Sequence, residues 1–517
     1  MSQIRFITVC TASVLLSVST LNADDILDDI GHTDLVERLG AAAPTGAGVV
    51  VGQVEVPDPG YGPVQSDPEF AGINFIERSG AAGSSSHANT VATRYYGQTL
   101  SPAPGIGTVV LWDVNDFVTN GYLRVGQSTS PPSPPSGLKI FNHSWIGSFG
   151  SVGNDNNALR RADWAANTFR TLWIAGTNNG STSSNQPLMS GMYHGISVGL
   201  VDGNHAFDDT SANLDGPGRM RPQLVAPGSA TSWAAPLVGG CAALLLETAA
   251  VDPDLSGNSA STQPYVLKSV LLAGAVRDAA WTNNPSSAGA DRGATSRPLD
   301  EVFGAGVLNI DRSHRIFTGL EQDGSAEVPA ENTIDGPAWD FELLSSDEVL
   351  WHRFSLAEPA EEIGIALTWH RIVASNFSSS SVADADLELF TLDGNGSPVS
   401  LVGTGTQVFG SGNVRSESGV DNVEVLHVRD LAAGDYAVRI MRVDDVATSA
   451  RAAIAFWIPE TGDEPLVGDL NGDGQVDGAD FGILLTAFGT NDPAADLDGS
   501  GEVGGGDIGV LLANWTG

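Results

Sequence analysis

Basic residues are scarce in this chain: 24 Lys and Arg stand against 62 Asp and Glu in 517 residues, a formal net charge of −38 at pH 7. With no basic patch to neutralise a phosphate backbone, nucleic acid is excluded as a partner. The same balance suits solubility in a saline exterior and the binding of Ca²⁺. Cysteine is nearly absent, with only Cys10 and Cys241. Cys10 falls in an N-terminal segment that reads as removable, so no intramolecular disulfide is expected in the mature chain. Cys241 sits in an apolar run and reads as a small core residue rather than a reactive thiol. Long hydrophobic runs are missing as well. The opening segment has Arg5, a short apolar stretch to Val18 and the small residue Ala23 before Asp24-Asp25. That is the layout of a secretory signal peptide over residues 1–23, with an apolar core too short to span a bilayer comfortably. No later stretch is expected to anchor the chain, so the reading is a secreted or cell-surface protein without a transmembrane segment.

Composition divides the remainder into three. Residues 45–315 alternate short β-branched runs, at 48–54, 107–112, 138–141, 171–175 and 195–201, with Ala-rich helical stretches. This rhythm predicts an α/β domain with a parallel sheet covered by helices. Residues 320–460 change to a period of two, as in Ile363, Ile365, Leu367 and Trp369, with turn signals at Asp393-Gly394 and Ala433-Gly434. That pattern predicts an antiparallel β-sandwich. Residues 466–517 carry an internal duplication. Asp469, Asn471, Asp473, Gly474, Gln475 and Asp480 recur as Asp496, Asp498, Ser500, Gly501, Glu502 and Asp507. Each set has the spacing of a Ca²⁺ loop: side-chain oxygens at positions 1, 3 and 5, the turn glycine at 6, a backbone carbonyl at 7 and an acid at 12. Asp at position 12 is one carbon shorter than the usual Glu. Ser500 and Gly504 make the second loop the weaker site. An apolar helix follows each loop, with Phe481, Leu484, Leu485 and Phe488, then Ile508, Leu511, Leu512 and Trp515.

The chemistry-bearing residues fall in the first of these segments. Leu224-Val225-Ala226-Pro227-Gly228 is followed by Thr231-Ser232-Trp233-Ala234-Ala235-Pro236 and a helix read over 234–246. Ser232 is thereby set in a helical first turn, where free N–H groups and the helix dipole favour a developing negative charge. A Thr-Ser at such a place also serves simply as an N-cap. Upstream, the strand over 48–54 ends in Glu55, His87 opens a small-residue helix in Ser86-His87-Ala88-Asn89-Thr90, and the strand over 171–175 leads into Thr177-Asn178-Asn179-Gly180. Strand ends are where open α/β sheets build their sites.

Acid, histidine, amide and serine in this chain order, with Arg221-Pro222-Gln223 before the serine segment and Tyr193-His194-Gly195-Ile196-Ser197-Val198-Gly199, resemble a subtilisin-like serine peptidase over residues 45–315. The resemblance implies that Ser232 is the nucleophile, His87 its general base and Glu55 the acid behind the imidazole. Asn178 would be the oxyanion donor, and the Ser144, Trp145 and Ile146 edge would offer backbone bonds to a protein or peptide substrate. The family's acid is ordinarily Asp, so Asp58 stands as the alternative to Glu55. A one-residue shift exchanges Asn178 for Asn179. The β-rich segment resembles jelly-roll domains appended to secreted bacterial peptidases. The duplicated loops resemble a type I dockerin, which implies Ca²⁺ as ligand and a cohesin-like scaffold protein as partner. The expectation is a secreted serine endopeptidase tethered by its C-terminus. The alternative is an inert subtilase-fold pseudopeptidase acting as a Ca²⁺-dependent binding or assembly module.

Overall fold

Short runs of Val, Ile and Leu bounded by Gly or polar residues become the strands of one parallel sheet. The computed structural model describes residues 23–328, 333–444, 448–459, 467–471, 475–501 and 503–516. The expected signal peptide, apart from Ala23, and the loop residues Asp473 and Glu502 lie outside them. Seven strands, β1 (Val50–Glu55), β2 (Asn74–Glu77), β3 (Thr108–Asp113), β4 (Leu138–His143), β5 (Leu172–Gly176), β6 (Gly195–Leu200) and β7 (Leu224–Ala226), line up in the order β2-β3-β1-β4-β5-β6-β7. Every neighbouring pair is parallel. Five of these strands were expected from the sequence. β2 is a partly exposed edge strand and β7 is three residues long, so neither carries a clear hydrophobic pattern.

Four helices frame the site and its supports: α1 (Ser86–Tyr95), α2 (Val152–Phe169), α3 (Thr231–Val251) and α4 (Pro264–Ala273). By length and composition α3 could cross a membrane, contrary to the expectation that no later stretch would. Most of its apolar surface is instead taken up by packing inside this fold. It lies against β4, β5 and β6 and against α1. Two glycines set the approach to α1: a Cβ on Gly239 would meet the Tyr95 ring at 2.8 Å, and one on Gly240 would meet Pro102 at 2.7 Å. Cys241 is buried in α3, and burial pushes its thiol well up from the ordinary range.

Apart from a separate two-stranded pair, Arg371–Val373 with Ser380–Val382, the later strands form two sheets. One runs Ala338–Leu344, Ala450–Trp457, Ala360–Trp369, Val423–Leu431, Ser411–Asn413, and the other Ala294–Thr295, Arg415–Ser416, Ala385–Leu392, Gly434–Arg442, Val349–Leu356, Thr333–Ile334. Pairing is antiparallel apart from two short parallel contacts, at Thr333–Ile334 and at Ala294–Thr295. The side chains of Ile363, Ile365, Leu367 and Trp369 face the shared core, as the period of two requires. Their alternates Gly364, Ala366 and Thr368 are buried too, because α4 covers the outer face and Thr368 Oγ1 donates to Tyr265 O at 3.1 Å.

The sandwich therefore shares one compact unit with the parallel sheet; among the described residues this unit takes in 23–32 and 44–459. A buried ionic joint ties the two parts together. Arg371 Nε lies 2.6 Å from Asp163 Oδ2, and the Arg371 N–H donates to His194 Nε2 at 2.8 Å. Lys268 Nζ donates to Tyr193 O and Gly195 O. Burial lowers the Lys268 pKa to about 7 and that of His194 to about 3, so His194 is a neutral acceptor here. The Tyr193 to Gly199 motif thus builds β6 and this joint.

The second unit takes in residues 33–43 and 467–516. Two of its helices, Gly478–Ala487 and Gly505–Ala513, pack Leu484 and Leu511 against Val476, Ala495 and Val503. Phe481 and Ile508 are half-buried against this cluster, whereas Leu485, Phe488, Leu512 and Trp515 of the duplicated pattern stay exposed.

Candidate active site

The sheet order reverses direction between β1 and β4, and side chains at the carboxyl ends of such strands face a common crevice. Glu55 is the last residue of β1 and is fully buried. His87 is in the first turn of α1, whose N-cap Ser85 accepts from Ala88 N. His87 Nδ1 donates to Glu55 Oε2 at 2.8 Å. Asp58, the alternative acid, is exposed in the loop beyond β1, and it acts on His87 only through its charge. Burial works against protonation of His87. The charge and hydrogen bond of Glu55 outweigh it, with the charge of Asp58 adding to them, and the imidazole pKa ends above its ordinary value.

Ser232 is the second residue of α3. Pro236 stands four residues on, where an N–H would ordinarily bond Ser232 O, and proline has none to give. The Ser144 hydroxyl takes that place, donating to Ser232 O at 3.0 Å while accepting from Asn142 Nδ2 at 2.9 Å. In return the Ser232 hydroxyl donates to Ser144 O at 3.2 Å. Among the described residues His87 and Ser232 share no hydrogen bond. The first turn of α3 meets His87 through the next residue, Trp233, whose ring lies 5.0 Å from that of His87, with Arg94 of α1 on Trp233 at 5.6 Å.

The two amides after β5 that the sequence left as alternatives are held differently. Asn178 is turned into its own loop: its Nδ2 donates to Ser184 O at 3.0 Å, and its N–H donates to Asn185 Oδ1. Asn179 faces α3 instead. Its Oδ1 accepts from Thr231 N at 2.9 Å and from Thr231 Oγ1 at 3.2 Å, which caps a helix whose own N-cap, Ala230, offers no side chain for the purpose. With Oδ1 so fixed, Nδ2 makes no hydrogen bond among the described residues.

Of the expected substrate edge, Ser144 is committed to Ser232 through its hydroxyl and its carbonyl, and Ile146 is half-buried. The Trp145 side chain is not part of a cleft wall, because it packs in the core with Phe141, Phe149 and Trp173. Its neighbour His143 stacks on Trp173 at 4.9 Å, and burial lowers the His143 pKa to about 3.

In the second loop of the duplication, Asp496, Asp498 and Asp507 each bring a carboxylate oxygen within 4.8 Å of the others. Such an all-oxygen set suits Ca²⁺. Ser500 N donates to Asp496 and Asp498, which folds the loop around them. The two loops match in detail: Asp480 accepts from Asn471 N and Asp477 N, and Asp507 accepts from Asp498 N and Gly504 N. Asp469 and Gln475 belong to the first loop, where Asp473 lies outside the described residues.

No protein-family model and no curated protein matches the chain. Among solved structures it is similar to a protease from Pseudoalteromonas arctica PAMC 21717, at 16% identity and a TM-score of 0.38, over 56% of this chain and 96% of that one. It is also similar to a cold adapted subtilisin-like serine proteinase, at 19% identity and a TM-score of 0.29, over 44% and 82% of the two chains. A third is fervidolysin from Fervidobacterium pennivorans, described as a keratinolytic enzyme related to subtilisin, at 15% identity and a TM-score of 0.35, over 78% and 54%. At these values the likenesses carry no argument about chemistry, which rests on this chain's own geometry.

Proposed function

We propose that the protein is a serine endopeptidase. The observation that carries the proposal is the buried Glu55 carboxylate holding His87 Nδ1 beside the N-terminus of a buried helix that presents Ser232. In this reading the Ser232 hydroxyl turns from Ser144 O to His87 Nε2 and gives up its proton as the oxygen attacks a peptide carbonyl. His87 then returns the proton to the leaving amine, and water hydrolyses the acyl-enzyme by the same route. Glu55 holds the imidazole in the Nδ1–H tautomer and stabilises its charged form. The free Nδ2 of Asn179 and the first-turn N–H of Ser232 are the donors for the oxyanion.

We further propose export by the N-terminal segment, Ca²⁺ binding by the two C-terminal loops and docking of the C-terminal unit to a cohesin-like scaffold. The exposed Leu485, Phe488, Leu512 and Trp515 support the docking role. The engagement of the Ser232 hydroxyl with Ser144 O is what favours the second reading, an inert peptide-binding module. Incubating the full chain in Ca²⁺ with an unfolded protein substrate separates the two. Cleavage that disappears in Ser232→Ala supports the enzyme, and binding without cleavage supports the inert module.

A further inference from the structure

Two residues before Glu55, in the middle of an otherwise apolar strand, stands a glutamine. Gln53 is fully buried, as are Glu55 and Tyr96. Its Nε2 donates to Glu55 Oε1 at 3.0 Å and to Ala88 O at 3.0 Å, and its Oε1 accepts from the Tyr96 hydroxyl. The orientation of this amide is forced by its partners. A carboxylate and a backbone carbonyl can only accept, so both need the NH₂ end, and the Tyr96 hydroxyl donates to the remaining oxygen. Burial and the charge of Glu55 hold the Tyr96 pKa well above its ordinary value, so the hydroxyl keeps its proton.

Ala88 follows His87 directly, so the two N–H bonds of one side chain hold both members of the Glu55–His87 pair. One fixes the carboxylate oxygen that His87 does not use, and the other fixes the helical turn that carries the imidazole. Glu has one more rotatable bond than the Asp of the related pattern, and a glutamate held only at Oε2 could swing away from His87. We propose that Gln53, braced by Tyr96, is a positioning residue that locks the longer acid of the triad against His87. This inference rests on the peptidase reading for its catalytic consequence. The hydrogen-bond chain itself stands apart from that reading. The titratable groups acting on its ends are Glu55 and Tyr95 at Tyr96, and Glu55 and Asp58 at His87.

The test compares wild-type full chain with Gln53→Leu, Tyr96→Phe and the double variant. Two readouts are taken: steady-state kinetics on a peptide substrate, and the downfield NMR signal of the His87 Nδ1 proton, assigned with His87→Gln. Displacing a catalytic group by a fraction of its bond length costs up to about 100-fold in rate. Gln53→Leu is therefore expected to lower kcat about 10- to 100-fold with KM unchanged, and to broaden the Nδ1–H signal by faster exchange. Tyr96→Phe should give a smaller loss, and the double variant should match Gln53→Leu, because the two residues act in one chain. A folded Gln53→Leu protein with wild-type kcat and an undiminished Nδ1–H signal would overturn the proposal, as would fully additive losses. If Gln53→Leu does not fold, Tyr96→Phe, which deletes one hydroxyl, carries the test by the same criteria. If the wild type shows no turnover, the peptidase reading fails alone. The Nδ1–H signal then still decides the positioning role, which is upheld if the variants lose the signal and overturned if they keep it.

Discussion

The assignment of the oxyanion donor can be tested by exchanging one atom. Asn179 Oδ1 caps α3 through Thr231 N, and its Nδ2 is the donor proposed for the oxyanion. Asn179→Asp keeps the capping oxygen, adds a charge that the helix N-terminus tolerates, and removes the donor. Its stability should stay within ~1 kcal/mol of wild type. Its turnover should fall about 10²–10³-fold, equivalent to ~3–4 kcal/mol of transition-state stabilisation. Asn179→Ala loses both functions and should show the same kinetic defect together with ~1 kcal/mol of lost stability. Asn178→Ala loses only a bond to Ser184 O, worth ~1 kcal/mol, and should keep kcat within a few-fold. The assay is kcat on a peptide substrate beside urea denaturation of each variant. If Asn178→Ala loses more turnover than Asn179→Asp, or Asn179→Asp keeps wild-type kcat, the assignment to Asn179 is wrong.

Individual contacts carry their own consequences. Because Glu55 raises the His87 pKa and catalysis needs the neutral imidazole, the acid limb of kcat/KM should lie above the ordinary histidine range. Glu55→Gln should move that limb down and cut kcat. The stability that this pair contributes is fully present below about pH 6.5 and is lost as pH rises through the raised pKa of the folded state, which pH-dependent denaturation of wild type against Glu55→Gln would show. Ser144→Ala leaves Ser232 O without a partner, at a cost of ~1–3 kcal/mol. Pro236→Ala supplies a helical N–H, so thermal unfolding should show the double variant regaining much of that loss. Arg371→Met strands the buried Asp163 carboxylate and should cost ~3–5 kcal/mol in denaturant titration. Asp507→Asn should remove Ca²⁺ binding at the second loop and leave peptidase turnover unchanged, as read by calorimetric stoichiometry and kcat.

Much of the fold could be read from the residues alone, and the Glu55–His87 hydrogen bond joins two residues that the sequence singled out. Glu55 and His87 were visible because an acid closes an apolar strand and a histidine opens a helix, features set by neighbours in sequence. Ser232 was visible for the same reason. The choice between Asn178 and Asn179 was not, since it depends on Ser184, Asn185 and Thr231, which reach the pair from later loops. Gln53 went unremarked because a lone polar residue in a strand has no meaning until Tyr96, from another element, is placed beside it. Trp145 was expected as part of a backbone edge, and nothing nearby in sequence showed that the β4 end turns its side chain into the aromatic core. The period of two located the sandwich strands, yet it could not reveal that α4 buries their outer face or that Ala294–Thr295 joins their sheet.

The central claim, that Ser232 is an activated nucleophile, is tested most directly by fluorophosphonate labelling of the folded protein in Ca²⁺ with peptide mapping. The account predicts a single adduct on Ser232, absent in Ser232→Ala and formed far more slowly in Glu55→Gln. Folded wild-type protein that takes up no label, or is labelled at another serine, would contradict it.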